Sequence, residues 1–227
     1  GGAPFRSCFV PNPSAAMKLA SLAAFNVAFI RHGNTGPATS DLARALTPKG
    51  RLQAAAARVS YVQQLTPIAP LVACSKASRC VDTATIALGG GDRVVGGKGA
   101  FRIEVCDSIY DGSMQPGSSA SEAFQSLGYA PLRAYHQLDD VRAQLEEYAE
   151  TCMGEVAAVA EKCAEKLEEG DSQTLLVCGH AVYLPSMALH LAQERGLPQK
   201  ALDSILDYNT EEASGFLVGS GVELLTL

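Results

Sequence analysis

No run of about 18 or more apolar residues occurs in this chain of 227 residues, so nothing in it is long enough to cross a bilayer as a helix. No Cys-x-x-Cys pair occurs either, and the cysteines number seven, an odd count. Both facts argue against a zinc site and against a disulfide framework. Lysine and arginine never interleave with aromatics in a basic run, and the net charge of −6 speaks against a nucleic-acid surface. An anionic ligand would instead need a small cationic pocket in an acidic surface, with distant repulsion screened beyond about 8–10 Å at physiological salt. No internal repeat is visible. No acidic residue precedes Asp41, and residues 1–25 are rich in proline and small residues. That composition fits an N-terminal extension, a cloning scar or the remnant of an organelle-targeting peptide alike.

What is present is enough apolar sequence, 47%, for one sizeable core, and residues 26–227 are expected to form a single α/β domain. Cys74, Cys106 and Cys178 sit in apolar strand-like runs, where cysteine serves as a small buried hydrophobe. Cys152 and Cys163 share a helix face with Val156 and Val159. Free thiols point to an intracellular, reducing compartment: cytoplasm or an organelle interior, the mitochondrion included.

Three apolar runs end in chemistry. Val27-Ala28-Phe29-Ile30 runs into Arg31-His32-Gly33, as a buried strand would when it delivers side chains to the carboxyl edge of a sheet. Leu71-Val72-Ala73-Cys74 runs into a helix expected from Ser75 and carrying Arg79. Leu175-Leu176-Val177-Cys178 runs into Gly179-His180. Arginine offers planar, permanently charged donors for phosphate oxygens, and histidine a nucleophilic nitrogen near neutrality. Arg31, Arg79, His32 and His180 brought together make a phosphate pocket with one histidine free to attack. His136 and His190 read as structural or surface residues.

The remaining elements follow from spacing and turn chemistry. Thr47-Pro48 opens a helix as N-cap and first residue, with Leu52, Ala55, Ala56, Val59, Val62 and Leu65 at helical spacing. Gly89-Gly90-Gly91 breaks the helix that carries Arg79. Arg102 to Cys106 alternates like a strand, and Gly112 to Ser121 reads as a loop. A long helix is expected from Gln137 to Leu167, with a break near Gly154 and its apolar stripe against the sheet. Gly215–Val218 and Val222–Leu225 close the chain as a hairpin.

Four blocks in order carry a family resemblance: Arg31-His32-Gly33-x-Thr35; Arg44-Ala45-Leu46-Thr47-x-x-Gly50-x-x-Gln53-Ala54; Ser75-x-x-x-Arg79-x-x-x-Thr83-Ala84; and Gly179-His180. With them the chain resembles the histidine phosphatase superfamily, the phosphoglycerate mutase-like group, in its first branch. The resemblance implies a three-layer α/β/α sandwich with a central, mostly parallel sheet. It also implies hydrolysis of a phosphomonoester or a phosphoprotein through a phosphohistidine on His32, without metal or other cofactor. Arg31 and Arg79 would clamp the phosphate, Asn34 and Thr35 would add donors from the loop, and His180 would donate to the equatorial oxygens. Ser75 reads equally as a helix cap or as a phosphate contact. A homodimer is compatible with the sequence.

The leaving group needs a proton, and aligning Asp107-Ser108-Ile109-Tyr110 with the Glu-Arg-His-Tyr of mutase-like members puts Asp107 in the acid's place, with Asp111 in reserve. Ser108-Ile109 stands where mutases carry a cationic pair, and the tryptophan that follows their Arg-His-Gly is missing. Phosphatase is therefore preferred to mutase-type phosphotransfer, and both arginines argue against a non-catalytic subunit that keeps the fold only to bind partners. Selectivity is expected from residues 108–137.

Overall fold

A computed structural model describes residues 20–65, 67–89, 101–112, 117–164 and 173–227. Strands β1 (Phe25–Arg31), β2 (Ile68–Cys74), β3 (Arg102–Val105), β4 (Gln173–Gly179), β5 (Gly215–Val218) and β6 (Val222–Leu225) form one sheet in the order β3-β2-β4-β1-β5-β6. β1 runs parallel to β4 in register from Phe25↔Gln173 to Arg31↔Gly179, and β2 runs parallel to both β4 and β3. β5 and β6 form the expected hairpin, β5 antiparallel to β1, so the sheet is mixed.

β1 explains the layering. Its side chains alternate between two faces, and both are buried: Val27 and Phe29 join one core, Ala28 and Ile30 the other. On the first face lie α6 (Asp139–Ala164) and α7 (Tyr183–Glu194), contributing Cys152, Met153, Val156, Leu184 and Met187. On the second lie α1 (Pro48–Ser60) and α2 (Ser78–Ala87), contributing Ala57, Cys80, Ala84 and Ala87. Among the described residues there are four shorter helices: α3 (Asp107–Asp111), α4 (Ser119–Leu127), α5 (Leu132–Tyr135) and α8 (Gln199–Asp207). Burying a large apolar side chain contributes roughly 1.5–3 kcal/mol, and both sheet faces draw on it.

Several expectations change. The helix carrying Arg79 begins at Ser78, not Ser75, which stays in the extended segment beyond β2. α1 starts as expected, with the Thr47 hydroxyl accepting from the Gly50 N–H and Pro48 in the first turn. Its buried face, however, is Gly50, Ala54 and Ala57, while Leu52 and Val59 are 72% and 67% exposed. Gly50 lies against the Asn34 backbone of the loop after β1, and Ala57 joins the core that holds Ala84 and Ala87 of α2; close approach to a backbone favours glycine and alanine over leucine. α6 runs unbroken through Gly154. Leu167, Gly90, Gly91 and residues 1–19 lie outside the described residues. Ala20–Ala24, assigned from sequence to the extension, form a 3-10 turn that packs on the domain: Leu22 is fully buried and the Ser21 hydroxyl donates to the Ala157 carbonyl.

All six described cysteines are buried. Among the described residues no helix is long and apolar enough to cross a membrane.

At the edge of the sheet away from the Arg-His-Gly segment, Arg195 follows α7 and donates to four backbone carbonyls, those of Leu22, Phe25, Val218 and Gly219, at 2.7–3.3 Å. Hydrogen bonds to a charged donor contribute more than neutral ones. Arg195→Met, which keeps the apolar stem, should lower stability by about 2–4 kcal/mol and leave turnover per folded molecule unchanged. Urea unfolding monitored beside a steady-state assay checks both halves.

Candidate active site

The carboxyl ends of β1, β2 and β4 are joined one residue past the strands. The His32 N–H donates to the Gly179 carbonyl at 3.1 Å, and the Ser75 N–H to that of Cys178 at 3.0 Å. These bonds bring Arg31, His32, Ser75 and His180 to one edge. α2 then adds Arg79 and Thr83 from one helix face, four residues apart. The Thr83 hydroxyl accepts from the Gly33 N–H at 3.0 Å, tying the loop after β1 to the helix. Gly33 is required there, since a side-chain Cβ would lie 2.6 Å from the Gly50 carbonyl oxygen.

Arg31, His32, Asn34, Thr35, Arg79 and His180 all line one cavity of about 460 Å³, a size suited to a small ligand. The His32 and His180 rings sit 5.4 Å apart at 67°. The His32 Nδ1 lies 2.8 Å from the Gly33 carbonyl. A carbonyl can only accept, so Nδ1 carries the proton. Burial, with the charges of Arg79, Arg31 and Arg44, brings the His32 pKa down to about 3 against the Gly33 hydrogen bond. The imidazole is therefore neutral, with its Nε2 lone pair free.

His180 is held from two sides. Arg79 Nη2 donates to its Nδ1 at 3.2 Å, so Nε2 carries the proton that reaches the Ser75 hydroxyl oxygen, 2.8 Å away. Ser75, fully buried and outside the cavity lining, orients His180, and its hydroxyl also accepts from the N–H of Ala77, the N-cap residue of α2, at 3.3 Å. The next turn reinforces this. Val182 has φ 66° and ψ −51°, and the Tyr183 N–H donates to the Ala181 carbonyl at 2.7 Å, a three-residue turn that a β-branched residue rarely enters.

Arg31 and Arg79 are both nearly buried, at 6% and 2% exposed. Arg31 Nη1 donates to the Thr210 carbonyl, and its guanidinium lies 4.4 Å from the Tyr129 ring centroid. Arg79 Nη2 pairs with the Asp41 carboxylate at 2.7 Å. Burial raises the Asp41 pKa, but the Arg79 hydrogen bond and charge, with Arg44, outweigh it and hold the group below its ordinary value. On the loop, the Asn34 amide accepts from the Thr47 hydroxyl and donates to Glu212 at 2.7 Å. Thr35 spends its hydroxyl oxygen as acceptor for Arg44 at 2.6 Å. Gln53 completes the frame, accepting from the Asn34 N–H and donating to Glu212. Burial raises the Glu212 pKa as well, yet Gln53, Asn34, Lys49 and Arg31 together leave it lowered.

Asp107 falls elsewhere. It opens α3 with its side chain 68% exposed, 3.5 Å from the Lys76 ammonium, and is not among the residues lining the cavity. Asp111 pairs with the same lysine at 2.6 Å and also lies outside the lining. Lys76 thus draws both carboxylates to itself, outside the cavity lining. His136 and His190 stand apart from the cavity, their Nε2 atoms buried without a hydrogen-bond partner. Asp41, Glu212 and Ser75's hold on His180 have no local sequence signal, since each acts across a long stretch of chain, whereas Phe124 and Tyr129 fall within the 108–137 segment expected to govern selectivity. Among the described residues no group of three or more histidine, cysteine or acidic side chains could hold a metal ion.

The family model of the histidine phosphatase superfamily (branch 1) matches residues 27–211. No curated protein matches the sequence. Among solved structures, a mycobacterial glucosyl-3-phosphoglycerate phosphatase in complex with inorganic phosphate superposes with a TM-score of 0.52 at 19% identity, covering 88% of this chain and 94% of that one. An open-reading-frame product of Mycobacterium tuberculosis gives 0.51 at 19%, covering 89% and 96%. A phosphoglycerate mutase from Bacillus anthracis gives 0.50 at 15%, covering 89% and 92%. At such identities these likenesses speak of the fold.

The lowered His32 pKa has a sign that can be tested. Folded chains exclude a proton that unfolded chains take up near pH 6.5, so His32 withdraws stability as pH falls from about 6.5 toward about 3. Over the same window the ring stays neutral and nucleophilic. The burst of phenolate from an aryl phosphate should persist at pH 5 in single-turnover experiments. A burst lost with an apparent pKa near 6.5 would contradict the arrangement.

Proposed function

The chain belongs to branch 1 of the histidine phosphatase superfamily, and from that premise we propose that it hydrolyses phosphate monoesters through a covalent phosphohistidine on His32. One observation carries the proposal: a neutral imidazole with a free Nε2 shares a cavity with two nearly buried guanidinium groups and a second, oriented histidine. His32 Nε2 attacks phosphorus, the bond from phosphorus to the ester oxygen breaks, and the leaving group departs with the electron pair. Water then attacks the phosphohistidine, the P–N bond breaks, and phosphate is released. Arg31 and Arg79 hold the charge that develops on the equatorial oxygens. Asp41 must give up its place on Arg79 to the incoming phosphate. Asn34 keeps one amide hydrogen for an oxygen of the phosphate, and Thr35 anchors the loop through Arg44.

This cavity supports hydrolysis over mutase-type transfer. Ile109 is fully buried in the core, where a mutase would carry a cation. Two arginines already neutralise the dianion, so the proposal calls for no metal. His32→Ala should fold normally and retain less than about a hundredth of the wild-type rate, because covalent catalysis cannot bypass its nucleophile. EDTA treatment of the wild type should leave the rate unchanged, and metal-dependent recovery would point to another mechanism.

Alkoxide leaving groups need a proton, and we assign it to Asp107, with Asp111 in reserve. The assignment requires the Asp107 carboxyl to turn from Lys76 toward the cavity mouth. Asp107→Asn should slow an alkyl phosphate by roughly a hundredfold or more while sparing the phenolate burst from p-nitrophenyl phosphate, whose leaving group departs unprotonated. Equal slowing of both, or of neither, would remove Asp107 from the mechanism, and Asp111→Asn is the control.

A further inference from the structure

Beyond the phosphate clamp the cavity has two unlike walls. One is aromatic. Phe124 of α4 and Tyr129, just past that helix, meet edge to face with ring centroids 5.3 Å apart. Both are unusually open for large side chains, 37% and 53% exposed, and both line the cavity together with Tyr183. Tyr129 also lies against the Arg31 guanidinium, so this wall begins where the phosphate ends.

Another part of the lining is acidic. Asp41 and Glu212 belong to it, and both carboxyls are held below their ordinary pKa values against the effect of burial, Asp41 by Arg79 and Arg44, Glu212 by hydrogen bonds from Gln53 and Asn34 with Lys49 and Arg31. Cations are correspondingly scarce. The cavity is lined by three arginines, and Arg31 and Arg79 are taken by the phosphate. Arg44 uses all three guanidinium nitrogens within its own loop, on the Gly36 carbonyl, Asp41 and Thr35. A leaving group bearing a carboxylate or a second phosphate would meet Glu212 and an Asp41 carboxylate displaced from Arg79, and, among the described lining residues, no uncommitted cation.

We infer that the cavity takes a monophosphate joined to a planar aromatic group that carries no negative charge. From the proposed function this takes only that the phosphate sits on Arg31 and Arg79. The ring would lie against Phe124, in the edge-to-face or offset arrangements that aromatic pairs prefer.

Phosphonates, which are not hydrolysed, test this by binding alone. In titration calorimetry on the full chain, benzylphosphonate should bind at least about tenfold more tightly than butylphosphonate, and 3-phosphonopropanoate at least about tenfold more weakly than butylphosphonate. Phe124→Ala should bring the benzyl-to-butyl ratio below about 3. Equal affinity for benzyl and butyl would overturn the inference. So would tightest binding of the carboxylated ligand, or an aromatic preference that survives Phe124→Ala.

Benzyl and butyl phosphate, whose leaving groups are both alkoxides, then separate the two levels. Binding preference without turnover of either ester removes the phosphatase function and leaves the aromatic subsite standing. Turnover of both without preference does the reverse. A phosphotyrosyl peptide set against phenyl phosphate in the same assay tells a protein-borne ring from a free one, and either winner supports the aromatic subsite.

Discussion

Two guanidinium groups are kept almost wholly out of water at one edge of a sheet, and the rest of the site is arranged around that burden. Removing a cation from water costs several kcal/mol unless it is paired and hydrogen-bonded. Arg79 is offset by the Asp41 carboxylate and backbone carbonyl, Arg31 by the Thr210 carbonyl and the face of Tyr129. The Nε atoms of both remain buried without a partner. A dianionic phosphate with three spare oxygens suits such an edge better than one carboxylate does. Burial, with the same positive field, keeps His32 unprotonated; Arg79 and Arg44 hold Asp41 ionised, and hydrogen bonds from Gln53 and Asn34, with Lys49 and Arg31, do the same for Glu212.

That field is useful only if its sources do not move, and the scaffold holds them through short-range geometry. Arg31 and His32 extend a strand buried on both faces, and His180 follows the neighbouring strand with Ser75 and Arg79 bracing its ring. Thr83 couples the loop after β1 to the helix that carries Arg79. Gln53 and Glu212 hold Asn34 from two separate parts of the chain. The groups proposed to hold phosphate are few, while the groups that aim them are many and widely spaced in sequence.

That spacing decides how much could be read beforehand. Strands ending in Arg-His-Gly or Gly-His are legible because a buried apolar run and an abrupt polar exit are adjacent in the chain. All six strands, the Thr47-Pro48 helix start and the convergence of Arg31, His32, Arg79 and His180 follow from such local signals. Asp41 on Arg79, Glu212 on Asn34 and Ser75 on His180 are bonds between residues 38, 178 and 105 positions apart, and no local pattern announces them. Asp107 was placed by aligning a short segment, which fixes its position in the chain but not the direction of a side chain drawn to Lys76. The buried face of α1 was misjudged because periodicity weighs large apolar residues, whereas a helix seated close to its neighbour buries small ones.

The backbone bonds that continue past the strand ends, from His32 to Gly179, from Ser75 to Cys178 and from Cys106 to Cys74, have a thermal consequence. They leave the reactive edge no hinge of its own, since loosening any of these junctions means peeling strands whose side chains fill both cores. Regions that open independently carry few buried contacts, and this edge is the opposite case. Heat should therefore not produce a folded but inactive form: the nucleophile's surroundings and the two cores are lost in a single cooperative melt.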